Sequence, residues 1–217
     1  MSILYSLYNS SIGKKILIGT TGLCLLIYLV VHIAGNLLLF KKDNGESFNA
    51  YAEFLPSLAI IRVVEIILLA VFALHIVMGV IFWVYNRTKR PSKYEVNRAG
   101  ENSSLFSRTM LYTGSIVLIF LVIHMRQFWA PARFAAGQVS MYDLVCAAFG
   151  NPAYVGFYVV AMALLGCHLR HGFQSALQTF GVSNNKYEPL IRYIGSLFWL
   201  VIPAGFAAIP LYFLIFH

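Results

Sequence analysis

Five long apolar runs constrain this 217-residue chain more than any other feature of its sequence. They cover about residues 16–40, 61–85, 109–130, 153–177 and 193–216. A helix of about 20 apolar residues crosses the hydrocarbon core of a bilayer, where only helices and closed barrels satisfy their own backbone. The runs therefore predict an all-α integral membrane protein, a bundle of five transmembrane helices, numbered here spans I to V.

The composition and the short connections indicate a single domain. Hydrophobic residues make up 59% of the chain and charged residues 11%, and the mean hydropathy is +0.74, outside the range of soluble domains. The segments between the runs are too short to fold alone. We therefore expect residues 1–217 to form one transmembrane domain.

The basic residues behind the net charge of +8 are distributed according to the side of the membrane on which each loop lies. This distribution favours a membrane protein over a nucleic-acid-binding one. With the N-terminus inside, 11 of the 16 Lys and Arg residues lie on the inner side. The positive-inside rule then predicts a cytoplasmic N-terminus and an outer C-terminus. The inner residues are Lys14, Lys15, Arg87, Lys89, Arg90, Lys93, Arg98, Arg108, Arg170, Lys186 and Arg192; the outer ones are Lys41, Lys42, Arg62, Arg126 and Arg133.

Spans I to IV each contain one histidine: His32, His75, His124 and His168. Each lies roughly 15 to 17 residues into its span, which is about 24 Å from the face at which the span enters. Spans I and III run outward, whereas spans II and IV run inward. The sequence therefore predicts His32 and His124 at an outer level, and His75 and His168 at an inner level.

Two levels with two imidazoles each are what two stacked bis-histidine haem groups require, because each iron takes two axial ligands from facing helices. The chain has no C-x-x-C-H motif, so any haem is expected to be non-covalent haem b. Hydrogen bonds between helices, or the proton relay of a transporter, are the alternatives for intramembrane histidines. A tetrahedral zinc site is less favoured, since each level offers too few ligands.

Polar residues near these histidines are candidates for the rim of such a group. Arg126 and Arg170 each lie two residues beyond a proposed ligand, where a guanidinium suits a haem propionate or simply extends to the membrane surface. His171 is a third propionate candidate, or a competitor of His168. Gly22 is a candidate for close approach of a flat ligand to the backbone.

An ordered set of motifs resembles the di-haem cytochrome b membrane subunit of succinate:quinone oxidoreductases, in the class where one five-helix polypeptide anchors a succinate dehydrogenase or fumarate reductase. The resemblance implies a proximal haem on His75 and His168 and a distal haem on His32 and His124. The motifs are S-x-I-G-K-K before span I, T-G-L and V-H-I-A-G-N within it, L-H-I in span II, H-M-R-Q-F in span III and H-L-R-H-G in span IV.

The resemblance also implies partners and a location. A flavoprotein with FAD and an iron-sulfur protein are expected on the cytoplasmic face of a prokaryotic inner membrane, with succinate or fumarate chemistry confined to them. Electrons are expected to pass between the iron-sulfur protein and a membrane quinone, with menaquinone as the expected type. A cytochrome b anchor of a hydrogenase or formate dehydrogenase is the alternative within electron transfer.

Glu65, a carboxylate near the outer end of span II, is the candidate residue for the quinone site. Quinone chemistry moves protons as well as electrons, so the site needs an ionisable group within reach. Arg62 lies three residues earlier on the same helical face. A structural ion pair between Arg62 and Glu65 is therefore the alternative, and both remain open from the sequence.

Overall fold

The computed structural model describes residues 10–88, 105–135, 139–182 and 187–216, and the structural statements below concern those residues. Some of the basic residues from which the orientation was predicted lie outside these ranges. The basic residues outside the described part are Lys89, Arg90, Lys93, Arg98 and Lys186.

Five helices in the described part are long and apolar enough to cross a membrane, which confirms the predicted all-α fold. The helices extend a few residues beyond most of the predicted runs, because helical hydrogen bonding continues into the polar flanks. Span I is Ser11–Phe40, span II is Ala59–Thr88, span III is Met110–Phe134, span IV is Pro152–Thr179 and span V is Glu188–Phe216.

Capping residues set where two of the spans begin. The Ser10 side chain accepts a hydrogen bond from the Gly13 N–H at 2.9 Å, which caps span I. The Asn151 side chain caps span IV in the same way, and Pro152 occupies the first helical position, where a missing N–H costs nothing. These local signals fix the register at which each helix enters the bundle.

Spans III and V each contain one wide π-helical turn, at Met125–Trp129 and Leu197–Val201. A proline follows closely in both cases, Pro131 and Pro203. Proline has no N–H to donate and its ring crowds the preceding turn, so the helix widens there. Span V contains a second proline, Pro210, which lies inside the helical segment Ile202–Phe216.

Span IV is the central helix of the bundle. It packs against spans I, III and V, and span II packs against span I. A small buried cluster around Ala161, Met162 and Leu165 lies at the middle of span IV. A larger aromatic cluster surrounds Tyr158 and Phe149 near the start of the same span.

Two short helices, Glu46–Ser57 and Met141–Phe149, contact each other in the connections before spans II and IV. We call the end of the bundle that carries them the distal end, and the opposite end the proximal end. The chain turns at Asn44 and Gly45 before the first of these helices, with φ values of 53° and 82°. The two helices were not predicted, because nine to twelve mixed residues carry no strong periodic signal.

Candidate functional site

The side chains of His32 and His124 meet in the distal half of the bundle. Their ring centroids are 5.9 Å apart and their planes lie at 89°. Span I contributes one ring and span III the other. Aromatic side chains surround this distal pair: Tyr28 stacks on His32, and Phe120 stacks on His124.

The side chains of His75 and His168 meet in the proximal half. Their ring centroids are 6.3 Å apart and their planes lie at 72°. Span II contributes one ring and span IV the other. The structure therefore brings the four histidines together as two pairs, with the partners that their depths in the sequence predicted.

The spacing of both pairs fits two axial ligands of one iron. A metal–imidazole bond is about 2 Å long and the ligating nitrogen lies at the edge of its ring, so the two ring centres lie roughly 6 Å apart. No group of three or more His, Cys, Asp or Glu side chains suited to a metal ion occurs in the described ranges. Each pair offers two imidazoles as possible ligands.

Hydroxyl groups contact one imidazole of each pair. The Thr21 Oγ1 lies 3.0 Å from the Nδ1 of His75, and the Tyr158 hydroxyl lies 2.5 Å from the Nδ1 of His124. Such partners fix the ring orientation of a ligating histidine and leave its Nε2 for the iron.

The other two imidazoles have weaker support. The Asn36 Nδ2 donates to the His32 carbonyl oxygen at 2.7 Å and lies 3.5 Å from its Nδ1. The Nδ1 of His168 is buried and has no hydrogen-bond partner among the described residues. Each pair thus combines one imidazole held by a hydroxyl with one held mainly by packing.

Two glycines lie directly against the proximal pair. A Cβ atom added at Gly22 would lie 3.3 Å from the Cε1 of His75, and one added at Gly114 would lie 3.2 Å from the Cε1 of His168. These separations are tighter than ordinary van der Waals contact, so the missing side chains make room for the rings. The sequence singled out Gly22 and did not single out Gly114.

The candidate residues for propionate binding lie at opposite ends of the bundle. Arg126 is exposed in the wide turn that follows His124. The Arg170 guanidinium lies over the rings of Phe106 and Trp199, at 4.3 and 5.1 Å from their centroids. His171 is half-buried on span IV, three residues after His168 and close to the same helical face.

Glu65 joins spans II and III at the distal end. Its Oε2 lies 3.2 Å from the Nη1 of Arg62, which is the ion pair that the sequence offered as the alternative to quinone chemistry. Its Oε1 accepts a hydrogen bond from the Trp129 Nε1 at 2.7 Å and lies 3.9 Å from the Nε of Arg133. The carboxylate therefore accepts hydrogen bonds from Arg62 and Trp129 and has a second, longer ion pair with Arg133, and its side chain remains 20% exposed.

A comparison with curated proteins identifies the relatives of this bundle. The chain is 28% identical over 162 residues to the succinate dehydrogenase cytochrome b558 subunit of Bacillus subtilis, covering 72% of this chain and 73% of the relative. The chain is therefore similar in sequence to that membrane subunit over most of its length. No family profile matches the chain, and no solved structure matches it significantly.

This similarity confirms the resemblance to a succinate dehydrogenase cytochrome b subunit that the sequence motifs indicated, and the number of haem groups stays a prediction. The relative's name specifies a cytochrome b and a succinate dehydrogenase. The described part of this chain combines two pairs of imidazoles with five apolar helices long enough to cross a membrane.

Several residues of the site were missed from the sequence. Thr21, Tyr158 and Trp129 contact candidate residues through hydrogen bonds between spans, which no spacing within one helix reveals. Gly114 had a visible signal, because a Thr-Gly pair occurs in span I at positions 21–22 and again in span III at positions 113–114. The glycine of each pair lies against a histidine of the next span along the chain.

Proposed function

We propose that this chain is the membrane-anchor cytochrome b subunit of a succinate:quinone oxidoreductase and carries electrons between an iron-sulfur subunit and membrane quinone through two bis-histidine haems b. The two imidazole pairs, one at each level of the bundle, carry the proposal. The homology to a succinate dehydrogenase cytochrome b subunit supports it independently.

His75 and His168 would hold the proximal haem iron, and His32 and His124 the distal one. Haem b, when bound, supplies one-electron redox chemistry. The role of the protein is to present neutral nitrogens at fixed positions and to exclude water. Tyr28 and Phe120 stack on the distal imidazoles and serve that second purpose.

The carboxylates of the proximal haem would meet a positive region at the proximal end. Arg170 supports this role because two aromatic rings hold its guanidinium in place, and a guanidinium stacked in this way donates through N–H groups that lie in its plane. His171 lies one residue further on. Arg126, exposed beyond His124, is the corresponding candidate at the distal end.

The partners in this proposal are a flavoprotein with FAD and an iron-sulfur protein. They dock at the proximal end, on the cytoplasmic face of a prokaryotic inner membrane, and carry the succinate or fumarate chemistry themselves. This chain is the part of the enzyme that reacts with quinone, with menaquinone as the expected type.

Glu65 is the proposed proton-exchanging group of a quinone site at the distal end. Reduction of a quinone takes up two protons, and a partly exposed carboxylate bonded to a tryptophan N–H is able to pass protons to a bound carbonyl group. Arg62 and Arg133 hold the carboxylate in position from two different spans.

A reduced-minus-oxidised visible spectrum of the purified protein tests the haem proposal, and the four variants His32→Ala, His75→Ala, His124→Ala and His168→Ala assign the ligands. We expect a haem b signal that splits into two components. The variants should fall into two pairs, each pair losing one component. The absence of a haem b signal, or the loss of the same component in all four variants, would contradict the proposal.

The Glu65→Gln variant tests the quinone site, with Glu188→Gln as its matched control. Glu188 also forms an ion pair within a span, with Arg192 at 2.6 Å, but it lies at the proximal end. We expect quinone turnover to fall about 100-fold or more in Glu65→Gln, with unchanged haem content, and to stay normal in the control. Normal turnover in both variants would assign Glu65 a structural role only.

A further inference from the structure

Two threonines are the buried polar side chains in the described part of the chain, Thr21 at 6% exposure and Thr113 at 5%. Each is followed by a glycine that lies against a proximal histidine. The two residues therefore occupy equivalent places in spans I and III. Their hydroxyl groups nevertheless have different partners.

The Thr21 hydroxyl has one proton, and that proton is already used. Its Oγ1 lies 2.8 Å from the Leu17 carbonyl oxygen and 3.1 Å from that of Ile18, and a carbonyl accepts only. The same Oγ1 lies 3.0 Å from the Nδ1 of His75. While the hydroxyl donates to its own helix, this third contact is a hydrogen bond in which Nδ1 carries the proton and donates it to the threonine oxygen.

We infer that Thr21 is a positioning residue that fixes His75 in the Nδ1–H tautomer and so presents its unprotonated Nε2 to the proximal haem iron. This inference rests on the proposed function, in which His75 is an iron ligand. It adds the choice of tautomer, which the position of His75 alone leaves open. The residue that makes the choice belongs to another span.

Packing prevents the imidazole from leaving this arrangement. Gly22, the next residue after Thr21, lies against the Cε1 edge of the same ring. The Thr21 side chain is itself held by carbonyl groups one turn earlier on span I. The hydroxyl oxygen is therefore held in place to accept a hydrogen bond from Nδ1.

His168 provides the contrast within the same pair. The Thr113 Oγ1 donates to the Met110 carbonyl oxygen at 3.1 Å. The buried Nδ1 of His168 has no hydrogen-bond partner in the described part of the chain. Thr113 thus resembles Thr21 in burial, in its glycine neighbour and in its bond to its own helix, and it differs in not holding an imidazole.

Donation from Nδ1 increases the electron density of the imidazole and stabilises the oxidised iron. The Thr21→Val variant keeps the size of the side chain and removes the acceptor. In the assembled complex we expect it to raise the midpoint potential of one haem and to leave the other unchanged. The haem whose potential shifts in Thr21→Val should be the same haem that is lost in the His75→Ala variant.

Two further variants separate hydrogen bonding from packing. Thr21→Ser retains the hydroxyl and should restore the wild-type potential, whereas Thr113→Val makes the same change beside His168 and should leave the potential unchanged. Loss of the proximal haem in Thr21→Val, with retention in Thr21→Ser, would support the same inference. The ferric low-spin electron paramagnetic resonance spectrum gives a second readout, in which one signal shifts in Thr21→Val alone.

An unchanged potential and an unchanged resonance signal in Thr21→Val would overturn the inference, and so would equal shifts in Thr21→Val and Thr21→Ser. Failure of the proposed function looks different: His75→Ala would then retain both haems. If His75→Ala loses one haem while Thr21→Val behaves as wild type, the ligand assignment stands and the role of Thr21 is wrong.

Discussion

At the scale of single residues, the proximal histidines fit the bundle because glycines lie against their rings. Gly22 and Gly114 each leave a gap that an imidazole edge fills. Buried residues are packed as closely as organic crystals, so one added methyl group is felt when its neighbour cannot move. A ligating imidazole is such a neighbour, because its nitrogen must stay within a fraction of an ångström of the iron.

The Gly114→Ala variant should therefore disturb the proximal haem. Its new methyl group would lie 3.2 Å from the His168 ring, which must tilt to accommodate it. We expect a shifted or weakened signal of that haem in the difference spectrum, with the distal signal unchanged. Gly79→Ala is the matched control, because nothing lies within 4 Å of a Cβ atom at that position; equal spectra for the two variants would contradict the argument.

The Tyr158→Phe variant probes the distal level in the same way. It removes the hydroxyl that contacts the Nδ1 of His124 and leaves that nitrogen buried without its partner, at a cost of about 1 to 3 kcal/mol. We expect the midpoint potential of the distal haem to change while that of the proximal haem stays constant. Tyr193→Phe, on span V, is the control, since the Tyr193 side chain is 67% exposed and lies away from the distal pair. A shift of the proximal haem in Tyr158→Phe would argue against two separate levels.

At the scale of secondary-structure elements, the π-helical turns of spans III and V change the direction in which the following side chains and carbonyl groups point. The Met125–Trp129 turn follows His124 directly and ends on Trp129, whose Nε1 donates to Glu65. A π-helical turn holds more residues than an α-helical turn, so it rotates the residues that follow it. The turn in span V brings the Trp199 carbonyl against Gly166 of span IV.

The two short distal helices depend on one backbone conformation. Gly45 has a φ of 82°, and a Cβ atom there would overlap the Tyr142 ring. Gly45→Ala should combine a left-handed strain of about 1 to 2 kcal/mol with that overlap, lowering the melting temperature in detergent. Gly181→Ala has the strain alone, because its φ is 71° and nothing lies within 4 Å. A similar loss in both variants would show that the packing of Tyr142 contributes little.

At the scale of the whole molecule, the two ends of the bundle differ. The distal end carries the two short helices and the aromatic cluster that includes Tyr142, Phe149 and Tyr158. The proximal end carries Arg170 between its two aromatic rings. A docked partner and a quinone site at opposite ends would make the bundle a path for electrons from one membrane face towards the other.

The orientation of this path is a prediction of the charge distribution, and cysteine labelling measures it. In a chain whose Cys24, Cys146 and Cys167 are replaced by alanine, Ser57→Cys marks the distal end and Thr88→Cys the proximal end. A membrane-impermeant maleimide should label Ser57→Cys in intact cells and Thr88→Cys only after lysis. The reverse pattern would place the N-terminus outside, and the cysteine-free chain controls for background.

The sequence by itself determined the five spans, because about 20 consecutive apolar residues are enough for a helix to cross the hydrocarbon core of a bilayer. It also determined which histidines share a level, since a helix rises by a constant amount per residue. The pairs His32 with His124 and His75 with His168 followed from that arithmetic, and their ligation of haem stays a prediction.

Only the tertiary structure decided what each histidine touches. The contacts of Thr21 with His75, of Tyr158 with His124 and of Trp129 with Glu65 all join different spans. They depend on how far each helix is rotated about its own axis, which the packing of all its neighbours and the wide turns before Pro131 and Pro203 set together. The depth of a residue depends on the sequence of its own span, whereas the rotation of a span about its axis depends on the packing of all five spans.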